Sequence, residues 1–400
     1  MEKGLSPEQK KMCELLTLSV SGKETDRAVF SMSDRLMNMS RLEGTTALLY
    51  PVCDEENLKR YPGIEKEARE NCVRFYRLLQ LGRYFCLELE KRGIKALVIK
   101  GAHLASMYPV PEYRSFGDVD LLLWDKRDEA KAVKVLEELG CVKNSFQRST
   151  HHVEMVFEDR IPVELHSSVV RDFEDQKINK RIDEIFELKE EDVTKAEVMG
   201  IEFPVLTDGL NAFYMLLHSV QHFLNAGFGI RLILDWALFW KREVNDAETE
   251  KYLGLVKEVG LSSFSETLTK CAIAYLGLNP DVSDRLCDRH YGKEELEEDS
   301  LVLDFMKEVF EAGRFGERDS KRVVTINSPS FGGLVRGFHH QMHLNFPKAG
   351  KIFILWPILW TVTLVRFLIN NRRYRNSSAA AVVGNAMRRS TLVKKLNMWQ

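Results

Sequence analysis

Apolar residues recur three and four positions apart through "FYRLLQLGRYFCLELEKRG", the spacing that gathers them on one side of a helix, and Gly93 stands where such a helix would stop. Residues 6–92 read as helical, with no strand signal. The period then shortens. "IKALVI" reads as a short buried strand, "AHLASMY" as a helical turn, "DVDLLLW" as a second strand, and "KRDEAKAVKVLEELG" as an amphipathic helix ended by Gly140. Two more strands are expected in "HHVEMVFE" and "IPVELHSSV". The order β-α-β-α-β-β predicts an α+β fold, a small mixed sheet with helices on one face. From Asp208 the helical period returns, in "GLNAFYMLLHSVQHFLNAG" and "IRLILDWALFW". The expected division is an N-terminal helical region (1–92), a sheet-bearing core (93–206), a helical domain (207–319) and a C-terminal tail (320–400), with no internal repeat and no sharply marked linker.

The polar positions inside these strands carry the chemistry. Side chains alternate along a strand, so Asp118 and Asp120 share one face while Val119, Leu121 and Leu123 take the other. Two carboxylates so spaced suit Mg²⁺ or Mn²⁺, hard ions that take oxygen ligands. In "RIPVELHSSV" the apolar Ile161, Val163 and Leu165 alternate with Glu164 and His166. If the two strands are neighbours, three acids converge. A lone DxD is commonly no more than a soluble strand edge, so the reading leans on what surrounds it. Lys100 and Gly101 lie between a strand and a short helix, where backbone N–H groups favour an anion and glycine permits close approach. Arg114, four residues before Asp118, adds a guanidinium suited to phosphate oxygens. No GxxxxGK[ST] and no GxGxxG occurs, which removes P-loop and Rossmann readings.

Composition adds limits. The chain has 400 residues, 44% hydrophobic and 29% charged, enough for a sizeable core and two or three domains. Seven scattered cysteines with no CxxC pair fit a reducing cytoplasm, and the start has no apolar stretch resembling a secretory signal. Thirteen Lys and Arg and no acidic residue follow from Ser320, which leaves the first 319 residues at −15 against a net charge of −2. Such a tail meets anionic lipid, nucleic acid or the acidic body itself. Within it, the apolar run at 352–369 is barely long enough to span a bilayer and is interrupted by Pro357 and Arg366. It reads as a core helix packed on the helical domain or as a segment lying in an anionic membrane surface, with Trp356 and Trp360 at headgroup level.

The order "IKALVIKGAHLASMYP…RSFGDVDLLL…LEELGC…VELHSSV" resembles the uncharacterised nucleotidyltransferase family, a bacterial branch of the DNA polymerase β-like superfamily. "LLHSVQHF…RLILDWALFW" and "NFPKAGKIFILWPILWTVTLVRFLI" resemble its later helical segments. The resemblance implies a polymerase β-like core flanked by helices and, as cofactor, Mg²⁺ or Mn²⁺ held by Asp118, Asp120 and Glu164 as the catalytic carboxylates. It implies nucleotide and phosphate contacts from Lys100, Gly101, Arg114, Ser115 and His166. The implied reaction moves a nucleoside monophosphate from an NTP to a hydroxyl-bearing acceptor (a small molecule, a saccharide, RNA or protein) with release of pyrophosphate. Glu164 departs from the aspartate that many superfamily members use, and would ligate a second metal or accept the acceptor's proton. A non-catalytic nucleotide-binding scaffold and a toxin-type transferase acting on RNA or protein are the competing classes.

The remaining histidines are ambiguous. His218 and His222 sit one turn apart, but Ser219 occupies the glutamate position of a zincin HExxH. They read as packing or hydrogen-bonded histidines facing Asp235. His151 and His152 begin a strand, and His166, on the Glu164 face, is the histidine expected to approach substrate.

Overall fold

The computed structural model describes residues 4–22, 32–144, 151–158, 160–170, 173, 175–225, 227–313, 331–346, 349–370, 389 and 391–399. The N-terminal segment folds as α1 (Pro7–Ser19), α2 (Asp34–Glu43), α3 (Glu55–Arg60) and the long α4 (Gly63–Glu90). Ser6 caps α1 through a capping box with Gln9, and Ser33 caps α2 by accepting from the Leu36 amide. The sheet region comprises β1 (Ala96–Val98), α5 (Gly101–Ala105), β2 (Val119–Leu123), α6 (Glu129–Glu138), β3 (Cys141–Lys143), β4 (His152–Phe157), β5 (Ile161–His166), α7 (Gln176–Ile185), β6 (Val193–Val198) and β7 (Ile201–Leu206). Helices follow: α8 (Asp208–Leu224), α9 (Arg231–Lys241), α10 (Asp246–Glu258), α11 (Ser262–Leu276), α12 (Ser283–Leu286), α13 (Lys293–Glu298), α14 (Ser300–Ala312), α15 (Phe331–Asn345) and α16 (Trp356–Asn370).

Five strands form one sheet in the order β1-β2-β5-β4-β3. Only β2 and β5 run parallel, and their register sets Asp120 opposite Glu164 and Leu122 opposite His166. The expected strands are all present. The sheet adds β3, directly after the Gly140 turn, and a separate β6–β7 hairpin. On one side, Val98, Val119, Leu121 and Leu123 pack against Phe75, Leu78, Leu79 and Phe85 of α4 and Val135 and Leu136 of α6. Gly82 lets α4 approach closely, since a Cβ there would already lie 3.5 Å from Val98 Cγ2.

The opposite side is not left to solvent, as helices on one face would imply. Leu97, Ile99 and Leu122 belong to the large core built by α8, α9 and α11, around Phe213, Leu217, Ile233 and Trp236. Asp120, expected on a solvated strand face, is only 3% exposed. A sheet buried on both sides forces its polar residues into a cleft, where each needs a partner.

The C-terminal segments divide. Arg389 forms an ion pair with Glu308 (Nε–Oε1 2.7 Å) and Lys395 with Asp304 (2.8 Å), so part of the basic tail docks on the acidic body. The stretch leading into α16 leaves Ile352, Phe353 and Ile354 exposed, and α16 itself exposes Ile358 while burying Leu359 and Thr363; Trp360 Nε1 donates to His339 Nδ1 on α15 (3.1 Å). The tryptophans therefore turn toward α15 instead of the outer face. Among the described residues, no helix is long and apolar enough to cross a membrane. The basic residues between 370 and 388, Arg372, Arg373, Arg375 and Arg388, lie outside the described residues.

Candidate functional site

A cavity of about 370 Å³ opens where the start of β2 and the end of β5 meet α5, α8 and α9. Lys100, Gly101, Arg114, Asp118, Asp120, Glu164 and His166, all expected at the site, line it together. Three atoms converge on its floor. Asp120 Oδ1 lies 3.1 Å from His166 Nε2, which lies 3.2 Å from Glu164 Oε2. The Lys100 ammonium sits among them, 2.8 Å from Asp120 Oδ1 and 3.9 Å from Glu164 Oε2. Asp118 precedes β2 by one residue and completes the acidic group.

The chain is strained to aim that lysine. Lys100 has φ +55° and ψ −138°, a region that side-chain-bearing residues rarely occupy, and Gly101 follows at φ +36°. A Cβ on Gly101 would meet Phe116 Cδ2 at 3.3 Å, so the glycine also keeps the loop close to the Asp118 segment.

Burial and charge set the protonation states. Burial, then the neighbouring Asp120 charge, raises the Asp118 carboxyl to about 6. Burial would also raise Glu164, but the hydrogen bond with His166 and the Lys100 charge hold it well below the usual carboxylate range. Burial alone would lower His166, but the Asp120 and Glu164 carboxylates, both facing its Nε2, move it up. Lys100, though buried, is held well above its ordinary value, chiefly by Asp120. On α8, burial pushes His222 down to about 4 and His218 well below the usual range, so both rings are neutral.

One consequence is directly measurable. A carboxyl whose folded pKa is raised binds its proton more tightly folded than unfolded, so stability falls as pH rises from about 4 through about 6 and the loss is complete above that. Asp118→Asn is therefore expected to stabilise the protein at pH 8 in EDTA by about 1–3 kcal/mol and to have little effect near pH 4. Urea unfolding at the two pH values checks this; equal effects at both would contradict it.

Two expectations change in detail. Arg114 was expected to grip phosphate, but its Nε and Nη2 donate to both oxygens of Asp235 (2.7 and 2.8 Å) and Nη1 to the Gly101 carbonyl (3.2 Å). At 5% exposure this guanidinium is committed to holding the Lys100-Gly101 loop against α9. Asp235 consequently faces Arg114 and Tyr108, not His218 and His222. Those two histidines line the cavity with Tyr214, from positions 214, 218 and 222 on one side of α8. Ser115 is buried, and its carbonyl accepts from Arg231 Nη1.

Arg231 is the cationic cavity residue that the sequence reading missed. It stands one helical turn before Asp235 on α9, so the two share a face, and that spacing is the signal that could have found it. His151 and His152 also reach the cavity, linked by a 3.0 Å contact between Nε2 and Nδ1.

As to ion chemistry, two carboxylates and an imidazole, Asp120, Glu164 and His166, converge as the donor set of a divalent cation would, with Asp118 lining the same cavity, and Lys100 shows that positive charge is accommodated there.

A family model described as uncharacterised nucleotidyltransferase matches residues 32–277, from just before α2 to the end of α11, and so includes every cavity residue named above. No curated protein and no solved structure matches the chain.

Proposed function

We propose, for a chain that belongs to the uncharacterised nucleotidyltransferase family and so transfers nucleotidyl groups, that the donor is a nucleoside triphosphate and the acceptor a hydroxyl-bearing molecule. The observation carrying this reading is the convergence of Asp120, Glu164 and His166 around the Lys100 ammonium, beside Asp118. Mg²⁺ or Mn²⁺ bound by the carboxylates would supply the positive charge that offsets charge growing on the α-phosphoryl oxygens. Lys100, displaced from Asp120, would turn to the triphosphate. Gly101 leaves space for a phosphate to approach backbone, and Arg114 fixes that loop by its bond to the Gly101 carbonyl. Arg231, which lines the same cavity, adds a second cationic side chain to it. The acceptor oxygen attacks the α-phosphorus as its proton passes to solvent water, the bond to the bridging oxygen breaks, and pyrophosphate leaves. Of the two roles open to Glu164, its strongly held negative charge suits ligation and disfavours proton abstraction.

Lys100 offers a test that separates this role from a structural one. In Lys100→Ala, the Kd for an NTP analogue with a non-hydrolysable α,β bridge is expected to rise roughly 10–100-fold, the value of one charge-assisted hydrogen bond. The Kd for the divalent ion alone is expected to fall, because the ammonium no longer competes for Asp120. Calorimetric titration of each ligand checks both. An unchanged nucleotide Kd would remove Lys100 from the phosphate site.

A second reading concerns the start of α16 and the stretch before it. The exposed Ile352, Phe353, Ile354 and Ile358, in a segment with no acidic residue, support contact with an anionic membrane surface. Flotation with vesicles containing phosphatidylserine is expected to recover the protein at low salt and to lose it at high salt. Recovery that ignored lipid charge and salt would contradict the electrostatic account.

A further inference from the structure

Asp120, Glu164 and His166 come from two neighbouring parallel strands, with Glu164 and His166 two residues apart on one face. Their three facing atoms are held in unusual proximity. His166 Nε2 is within 3.2 Å of both Asp120 Oδ1 and Glu164 Oε2, yet a ring nitrogen carries a single hydrogen. One N–H cannot point along two acceptor directions, so as a hydrogen-bonding arrangement the group is short of a donor. The Lys100 ammonium supplies part of the deficit for Asp120 but stands 3.9 Å from Glu164. A cation at the centre of the three atoms would satisfy a lone pair from each.

The spacing agrees with that. Ligands about 2.0–2.2 Å from an ion and at right angles lie roughly 3 Å apart, the separation seen on both edges of this group. His166 is 1% exposed, and a buried imidazole facing two carboxylates is placed as a ligand would be. The donor set also discriminates between ions. Imidazole nitrogen is a poor choice for Mg²⁺, which keeps to oxygen and water, and a better one for first-row transition ions, among which Mn²⁺ also accepts carboxylates and phosphates.

We infer that His166 is a ligand of the divalent ion, closing a two-carboxylate, one-imidazole face with Asp120 and Glu164, and that the site holds Mn²⁺ in preference to Mg²⁺. This rests on the reading of the cavity as a metal-dependent nucleotidyl site, and assigns His166 to the metal, not to the nucleotide. Lys100 must then vacate Asp120 on ion binding.

The experiment uses the full chain and Mn²⁺ as the probe. Titration followed by electron paramagnetic resonance gives the Mn²⁺ Kd, competition gives that of Mg²⁺, and electron-spin-echo modulation reports nitrogen bound to the ion. The expected result is a ¹⁴N coupling in the unaltered protein, with Mn²⁺ bound about tenfold or more tighter than Mg²⁺. His166→Ala should abolish the coupling and weaken Mn²⁺ roughly 10–100-fold, while Mg²⁺ affinity changes by less than about threefold. Because His151 and His152 stand close to the same nitrogen, the coupling is assigned to His166 by its loss in His166→Ala and its retention in His151→Ala and His152→Ala, each shown to be folded by circular dichroism; loss with His151→Ala or His152→Ala instead would overturn the assignment. Bound Mn²⁺ without nitrogen coupling would overturn the inference alone and leave a carboxylate-only metal site standing. Absence of binding by either ion, with or without a triphosphate analogue, would overturn the metal-dependent reading beneath it as well.

Discussion

Asp120→Asn is expected to lower nucleotidyl transfer by on the order of 10³-fold or more, since a bound divalent ion contributes several kcal/mol of transition-state stabilisation and about 1.36 kcal/mol corresponds to each tenfold. Asp120 is the residue on which the cavity floor converges: Lys100 and His166 both direct a polar atom to its Oδ1, at 2.8 and 3.1 Å. Asparagine keeps the shape but loses the charge, and with it the attraction for an ion. The substitution also leaves a buried ammonium with a weaker partner, so some stability is lost. Steady-state rates should therefore be compared below the unfolding temperature of the variant, with circular dichroism confirming the fold. A folded variant with near-normal turnover would exclude Asp120 from the chemistry.

The second large effect is on stability. Arg114→Ala or Asp235→Ala is expected to destabilise the protein by about 3–5 kcal/mol, because either change strands a buried charge without its partner. The pair is bidentate, its two side chains 5% and 4% exposed, and Tyr108 donates to the same carboxylate at 2.8 Å. That loss is a large part of the 5–15 kcal/mol or so by which a domain is held folded. Replacing both residues at once by Met and Leu should recover much of it, since no unpaired charge then remains. The exposed pair Arg127–Asp125 provides the contrast: with Arg127 87% exposed and its charge screened by solvent, Arg127→Ala should leave stability almost unchanged. Urea unfolding of the four variants checks the set. A loss below about 1 kcal/mol for Arg114→Ala would mean that the loop at Gly101 is held by something else.

How much of this was legible in the sequence depended on the period of the pattern. The alternation that opens "DVDLLLW" and runs through "IPVELHSSV" read correctly as strands with acids on one face, and β2 and β5 are indeed neighbours. The β6–β7 hairpin escaped because β6, with Thr194, Lys195 and Glu197 among its six residues, shows no apolar alternation and its turn is Met199-Gly200. Both turn residues have positive φ (51° and 77°), a geometry that Asn-Gly would have announced and Met-Gly does not. β3 spans three residues, too few for any period. On the helical side, Tyr214, His218 and His222 carry the same four-residue spacing as core residues, and nothing local says that their side meets a cavity instead of a hydrophobic neighbour. The same gap explains Arg114. Its proximity in sequence to Asp118 suggested phosphate, but its partner Asp235 lies 121 residues away, and only the folded chain brings them together.

The central claim is nucleotidyl transfer from a triphosphate, and the fate of label tests it most directly. The protein is incubated with Mn²⁺ and NTPs carrying ³²P at either the α or the γ position, with small hydroxyl compounds, saccharides, RNA and protein offered in turn as acceptors. The account predicts α-label in the acceptor, or in nucleoside monophosphate where water takes its place, with γ-label recovered as pyrophosphate, and neither product in Asp120→Asn. Label passing from the γ position into the acceptor, with nucleoside diphosphate left behind, would contradict it.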